Sequence, residues 1–383
     1  MAETHNKSID RHADTIDCET LTLEDVDDVV VVHRHDTLID TCQQEIRARV
    51  ARDDDTRKEN ELREEMEELL NSDRCDRYRL QRLCEANDNK IPPSCRRRAW
   101  AVLLGVEGLL HARDGLLDAD LATTAENLIN QRVVTADVDR TRQTIDLFRT
   151  SVVKDSAVRI LTFYCKRKER IYRQGMNEIL APFLLLAAQE EGTGSCASNP
   201  SAGSSAPDGN AGQTRRGLRD ESGTFNMFYA FLTRQLPNMF RDGFHSLQYL
   251  LRCLGLLLQF HDPELAKFLE QHDIGQPALY ATSWILTAFS HDLPMPTLLA
   301  LWDTYILEES PLLHLFVSLA WLLHFRQQFL SANSDSAHDV VVRSMSPASH
   351  TYSVLLSSIA RSPYGFLLHC APSDYDAGHP ATA

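Results

Sequence analysis

Arg140 and Gln174 stand in two short segments, Val134-Thr135-Ala136-Asp137-Val138-Asp139-Arg140-Thr141 and Tyr172-Arg173-Gln174-Gly175-Met176-Asn177, Tyr172 coming 32 positions after Arg140. A guanidinium is planar, always charged and able to make two parallel bonds to phosphate oxygens. A carboxamide can accept from a water and donate to a phosphate oxygen at once. Asp137, three residues before Arg140, could orient that guanidinium through a charge-assisted bond. Each segment alone is ordinary. Asp-x-x-Arg is far more often an exposed ion pair, and Tyr-x-Gln-Gly is usually a turn before a helix, with Gly175 supplying an unusual backbone angle.

The elements that must hold these residues read as helices. Between the two segments Val153, Ala157, Ile160, Leu161 and Tyr164 follow the i, i+4, i+7, i+8, i+11 rule of a helix packing by one stripe. Asn177 to Ala188 and Leu247 to Phe260 are more uniformly apolar, as in the middle of a bundle. Ile91-Pro92-Pro93-Ser94 offers a stop and a cap before a helix from Arg96 to Val106, and Ser310-Pro311 offers an N-cap and N1 pair for a helix from Leu312 to Phe325. Near the N-terminus, Ile39, Cys42, Ile46 and Val50, then Leu62, Met66, Leu69 and Leu70, recur at helical spacing. No alternating run is long enough for a sheet, so the expected fold class is all-α.

Composition sets the domain plan. The 383 residues are 43% hydrophobic, enough for a sizeable core, but polar and charged residues concentrate in the first 90 positions and near position 200. The expected plan is an acidic, partly disordered region over 1–87 with one or two helices, one large helical domain over 88–330, and a tail over 331–383 with a short helix. The stretch Gly192 to Gly223, almost without large apolar residues, reads as a disordered insertion between two helices.

Residues 1–60 carry 16 acids against 8 bases, a net of −8 out of the chain's −15. That balance argues against nucleic acid as the main partner, because phosphate backbones are bound by clustered Lys and Arg. The nine cysteines are odd in number and show no C-x-x-C pair, the pattern of reduced cytosolic thiols. Met-Ala-Glu-Thr-His has neither an apolar leader nor a myristoylation Gly, and the longest apolar run, 14 residues from Leu312 to Phe325, is too short to span a bilayer. A cytoplasmic protein with indirect membrane contact is expected.

Taken together and in this order, the two segments resemble the paired signature of the TBC-domain family, GTPase-activating proteins for Rab-type GTPases. Val134, Asp137 and Arg140 fill the apolar-x-x-Asp-x-x-Arg pattern of its arginine finger; Tyr172 and Gln174 fill the Tyr-x-Gln pattern of its glutamine finger. Ile91-Pro92-Pro93-Ser94-Cys95-Arg96-Arg97-Arg98-Ala99-Trp100 looks like the family's opening Pro-x-x-x-Arg-x-x-x-Trp helix. Phe260-His261-Asp262-Pro263-Glu264-Leu265, Trp284 and Leu301-Trp302-Asp303 resemble later landmarks in the right order. The sequence departs from the family pattern at Asp139, commonly Pro, at Arg142, commonly aromatic, and at Lys90, often Gly.

The resemblance implies a GTPase activator rather than an enzyme with its own substrate turnover. Arg140 and Gln174 would be catalytic, supplied in trans, with Asp137, Tyr172, Arg96 and Asn177 in support. Mg²⁺ and GTP would arrive on a Rab-type small GTPase in its GTP form, the protein itself needing no cofactor or metal, and recruitment to endomembranes would follow from that partner. Arg142 could compete as the finger or strengthen the local positive field. Lys166-Arg167-Lys168-Glu169-Arg170 with Arg173 is the most basic neighbourhood of an acidic chain; it is either a solvated helix end or, through Arg170 and Arg173, a surface that steers an acidic GTPase. The histidines show no metal spacing, and Trp100, Trp284, Trp302 and Trp321 read as core. A rival from another class is a TBC-like adaptor that binds without catalysis. A helical repeat scaffold would need self-similarity at roughly 30 to 50 residues, which the sequence lacks.

Overall fold

A computed structural model describes residues 56–72, 75–110, 115–194 and 218–331. The chain divides into a unit over 1–60, of which only 56–60 are described, and a unit over 61–383. The described residues contain helices and no strands. They run as α1 (56–70), α2 (Arg77–Ala86), α3 (Arg96–Leu103), α4 (Gly115–Ala122), α5 (Gln131–Arg140), α6 (Ser151–Arg167), α7 (Met176–Gly194), α8 (Glu221–Gln235), α9 (His245–His261), α10 (Pro263–Gln271), α11 (Thr282–Leu286), α12 (Met295–Glu308), α13 (Leu313–His324) and α14 (Arg326–Leu330).

The sequence-predicted stripes face inward. On α6, whose Thr150 side chain accepts from the Val153 amide at 3.5 Å, Val153, Ala157, Ile160, Leu161 and Tyr164 are all buried. The uniformly apolar α7 and α13 lie within the core, and all four tryptophans are buried. Trp302 stacks on Phe231 with ring centroids 4.1 Å apart and neighbours Trp100 and Phe183, so four helices, α3, α7, α8 and α12, share one aromatic cluster. Asp303 closes it. Its carboxylate, 2% exposed, accepts from Arg96 Nε at 3.0 Å and from Trp100 Nε1 at 2.7 Å. Burial raises the Asp303 carboxyl to about 6 despite those donors.

Several local expectations change. The helix after Ser94 stops at Leu103 rather than Val106, because Gly105 turns at φ +66° and Arg234 Nη1 takes the Leu103 carbonyl at 3.2 Å. Neither expected N-cap serine holds the cap position: Cys95 and Leu312 do, while the Ser94 hydroxyl reaches Glu67 and the Ser310 hydroxyl accepts from the Leu312 amide at 3.4 Å, ahead of the helix. Helix α2, unforeseen, is capped by Asp76. The expected insertion over 192–223 is helical at both ends: α7 continues to Gly194, and Asp220 caps α8 by accepting from Gly223 N at 2.8 Å. Its middle, 195–217, lies outside the described residues, as do the expected helix at 39–50 and the tail from 332 onward.

Candidate functional site

Helix α5 places Val134, Asp137 and Val138 on its buried face and ends at Arg140. The periodicity that buries Asp137 turns Arg140 outward, so its side chain is 62% exposed while Asp137 is 1% exposed. The two form an ion pair across one helical turn. Asp137 is anchored from the other side, where Tyr172 Oη donates to Asp137 Oδ2 at 2.8 Å and lies 3.0 Å from Asn177 Oδ1. Asn177 Nδ2 donates to Thr141 Oγ1 at 2.8 Å, and Thr141 Oγ1 donates to the Asp137 carbonyl at 2.7 Å. Tyr172, Asn177, Asp137 and Thr141 are all buried. Hydrogen bonds run from Asn177 through Thr141 to Asp137 and from Tyr172 to Asp137, and the approach of the Tyr172 hydroxyl to Asn177 Oδ1 closes them into a polar ring joining the end of α5 to the start of α7. Burial and the neighbouring Asp137 charge push the Tyr172 phenol well above its ordinary range, so it stays a donor.

Gln174 sits in the turn between Tyr172 and α7, exposed. Gly175 makes that turn at φ +102°, and a Cβ there would lie 3.1 Å from Thr287 Cγ2, so only glycine fits. Its amide donates to Asn177 Oδ1 at 3.1 Å, tying the glutamine loop into the same ring. The backbone on the other side is fixed by Asn130, whose Nδ2 donates to the Tyr172 carbonyl at 2.8 Å. A cavity of about 10 Å³ beside Val138, Thr141 and Asn177 has room for a single water and no substrate. The arrangement presents one guanidinium and one carboxamide to the outside on a rigid polar base. The hydroxyl and carboxylate groups of the ring are buried and bonded to one another, which leaves the guanidinium and the carboxamide as the groups that can polarise or orient something brought from outside.

The remaining candidates separate. Arg96 bonds to Asp303 and to the Ile91 carbonyl at 3.0 Å rather than to either segment, so it supports the fold from a distance. Arg142, expected on the partner-facing surface, is turned inward: 12% exposed, it meets Glu178 Oε2 at 3.2 Å and the Leu293 carbonyl at 2.7 Å. Arg170 bonds to Tyr164, and the Arg173 guanidinium sits 5.1 Å from the centre of the Phe244 ring. Lys168 likewise reaches Tyr229 Oη at 2.6 Å and Asp139 pairs with Lys154 at 2.9 Å, so part of the basic run is held by local contacts. Thr141 and Glu178 were missed. Each directly follows a recognised motif, but its partner lies 36 positions away, and no local pattern reveals that.

A family model described as "Rab-GTPase-TBC domain" matches residues 93–330. The TBC domain-containing protein kinase-like protein of Homo sapiens is 30% identical over 223 residues, 57% of this chain and 21% of that protein, so the chain spans about a fifth of that relative's length. Two solved structures share the fold: the Ypt/Rab-GAP domain of Gyp1p, at 19% identity with a TM-score of 0.64, covering 81% of this chain and 99% of that one, and the Chlamydomonas flagellar RabGAP TBC domain, at 17% identity with a TM-score of 0.57, covering 80% and 96%.

Proposed function

The chain belongs to the Rab-GTPase-TBC domain family, and from that premise we propose that it accelerates GTP hydrolysis by a Rab-type small GTPase in its GTP form, supplying Arg140 and Gln174 in trans. The observation that carries the reading is the buried ring of Asp137, Tyr172, Asn177 and Thr141, which anchors both exposed side chains from one base.

In the reaction, water attacks the γ-phosphorus, the bond to the β–γ bridging oxygen breaks, and charge builds on the leaving and equatorial oxygens. Arg140 neutralises that charge; the ion pair with Asp137 holds its guanidinium ready and exchanges for phosphate oxygens on docking. Gln174 accepts from the attacking water and donates to a γ-oxygen, fixing the line of attack. An arginine supplied this way is worth about 10³ to 10⁵ in rate, or ~4 to 7 kcal/mol of barrier. Mg²⁺ and the nucleotide come with the GTPase. The protein acts on the cytoplasmic face of endomembranes because that partner is there, and no described helix is long and apolar enough to cross a membrane.

The test is single-turnover hydrolysis by a panel of GTP-loaded Rab-type GTPases with and without the protein. Acceleration of at least one by about 10³ or more supports the proposal. Tight binding with no acceleration makes the protein a non-catalytic adaptor instead.

A further inference from the structure

Arg142 follows Arg140 by two positions and Glu178 follows Gln174 by four, and the two side chains meet at 3.2 Å with only 12% and 13% of their surface exposed. Arg142 Nη1 also donates to the Leu293 carbonyl at 2.7 Å, so one guanidinium fastens the loop after α5 both to α7 and to the turn before α12. Arg142 holds a backbone φ of +48°, a conformation that a long side chain keeps only when its surroundings impose it. Glu178 Oε1 stands 3.5 Å from Asn177 Nδ2, which links this pair to the hydrogen-bonded ring. The flanking charges are His291 and Asp292, the latter bonded to Ser283 Oγ at 3.0 Å. Burial raises the Glu178 carboxyl and Arg142 opposes it.

A buried ion pair is weak evidence of stabilisation, because desolvation offsets most of the attraction. What distinguishes this one is its place, since it is a direct side-chain link between the loop that follows Arg140 and the helix that follows Gln174. We propose that the Arg142–Glu178 pair is a strut setting the spacing of the two finger loops, which makes Arg142 and Glu178 positioning residues and not partner contacts. The proposal rests on the two-finger reading above. Its test therefore includes a measurement that does not depend on that reading.

Stimulated hydrolysis is measured in single turnover over a range of protein concentrations, and amide hydrogen exchange is followed in the free, full-length protein. Arg142→Met and Glu178→Gln are each expected to lower the maximal rate by about 10- to 100-fold, the effect of a misplacement of roughly 1 Å. The half-saturating concentration should change by less than about threefold, because a group acting only in the transition state leaves binding alone. Arg142→Lys keeps a charge near Glu178 without the fork to Leu293 and should recover part of the rate. Exchange at 139–143 and 173–177 should quicken together in both variants while α9 is unchanged. If a single substitution unfolds the protein, the double variant Arg142→Met/Glu178→Leu, which leaves no unpaired buried charge, carries the same test. A raised half-saturating concentration at unchanged maximal rate, or unchanged exchange in the two loops, overturns the proposal. If the unsubstituted protein accelerates no GTPase, the finger reading fails and the exchange result alone decides on the strut.

Discussion

Tyr172 and Asp137 are 35 positions apart in sequence and 2.8 Å apart in the fold, hydroxyl to carboxylate. This bond joins the two motifs into one object, since Asp137 carries Arg140 and Tyr172 precedes Gln174 by two residues. Replacing Tyr172 with Phe removes the hydroxyl and leaves Asp137 buried with a donor missing. A loss of about 1 to 3 kcal/mol in stability is expected in chemical denaturation, together with a lower stimulated rate. A variant of unchanged stability would mean that Arg140 alone satisfies the carboxylate.

Arg140→Ala should lower the maximal stimulated rate by about 10³ while the fold is retained, with a stability loss of about 1 to 3 kcal/mol because the buried Asp137 carboxylate loses its ion-pair partner and keeps the Tyr172 hydroxyl. Arg140→Lys should rescue little, a point charge lacking the fork. Normal rates in both variants, at saturating protein, would remove Arg140 from the mechanism.

A Rab-type GTPase whose own switch glutamine is changed to leucine should still be accelerated, because Gln174 takes over the placement of water. Gln174→Ala should abolish that acceleration. Full activity of Gln174→Ala on the unmodified GTPase would leave arginine as the single finger.

Gly175→Ala should destabilise the protein by about 1 kcal/mol or more, since the backbone angle excludes a Cβ that also meets Thr287. The glutamine loop should shift with it, so the rate falls further than stability does. Thermal unfolding beside single-turnover kinetics separates the two effects.

His314 on α13 is 2% exposed, and burial pushes its imidazole down to about 4. A depressed folded value means that the unfolded chain takes up a proton the folded one refuses. The contribution is fully present above about pH 6.5 and is lost as pH falls through 4, amounting to roughly 3 kcal/mol. Asp303 runs the other way, its raised carboxyl favouring the folded state at acid pH and losing that advantage as pH rises through about 6. The difference between the unsubstituted protein and His314→Leu isolates the histidine: the variant's stability should fall less between pH 6.5 and 4, as measured by denaturant midpoints. Parallel curves would show that the buried imidazole is protonated in the fold.

Much of the architecture was legible because helical stripes recur along the chain: Val153 to Tyr164 specifies a helix and its buried face with no help from tertiary contacts, whereas Leu247 to Phe260, which reads as a uniformly buried mid-bundle helix, forms the helix but leaves Tyr249, Leu256 and Phe260 exposed. Helix ends were less legible. Ser94 and Ser310 have the right chemistry for caps, but a cap is decided by where the first turn settles against its neighbours, and Arg234 ends α3 from another helix. At the site, residue type pointed to Arg140 and Gln174, and the turn at Gly175 was foreseen. The inward turn of Arg142 was not, since a cation two residues past an exposed arginine looks exposed in sequence, and only the partnership with Glu178 and the Leu293 carbonyl says otherwise.

Asp303 also has a consequence for the order in which the chain matures. Its carboxylate binds Arg96 from a distance of 207 positions. At a synthesis rate of about 5 to 20 residues per second, Arg96 and Trp100 emerge roughly 10 to 40 s before the group that satisfies them. Throughout that interval α3 has its aromatic face and its guanidinium without their native partner, and the helix can lock only after α12 has been made. Nascent chains that end before Asp303 should accordingly bind chaperones and be cut by protease within the first helices, and that sensitivity should vanish over the few residues of synthesis that bring α12 clear of the ribosome.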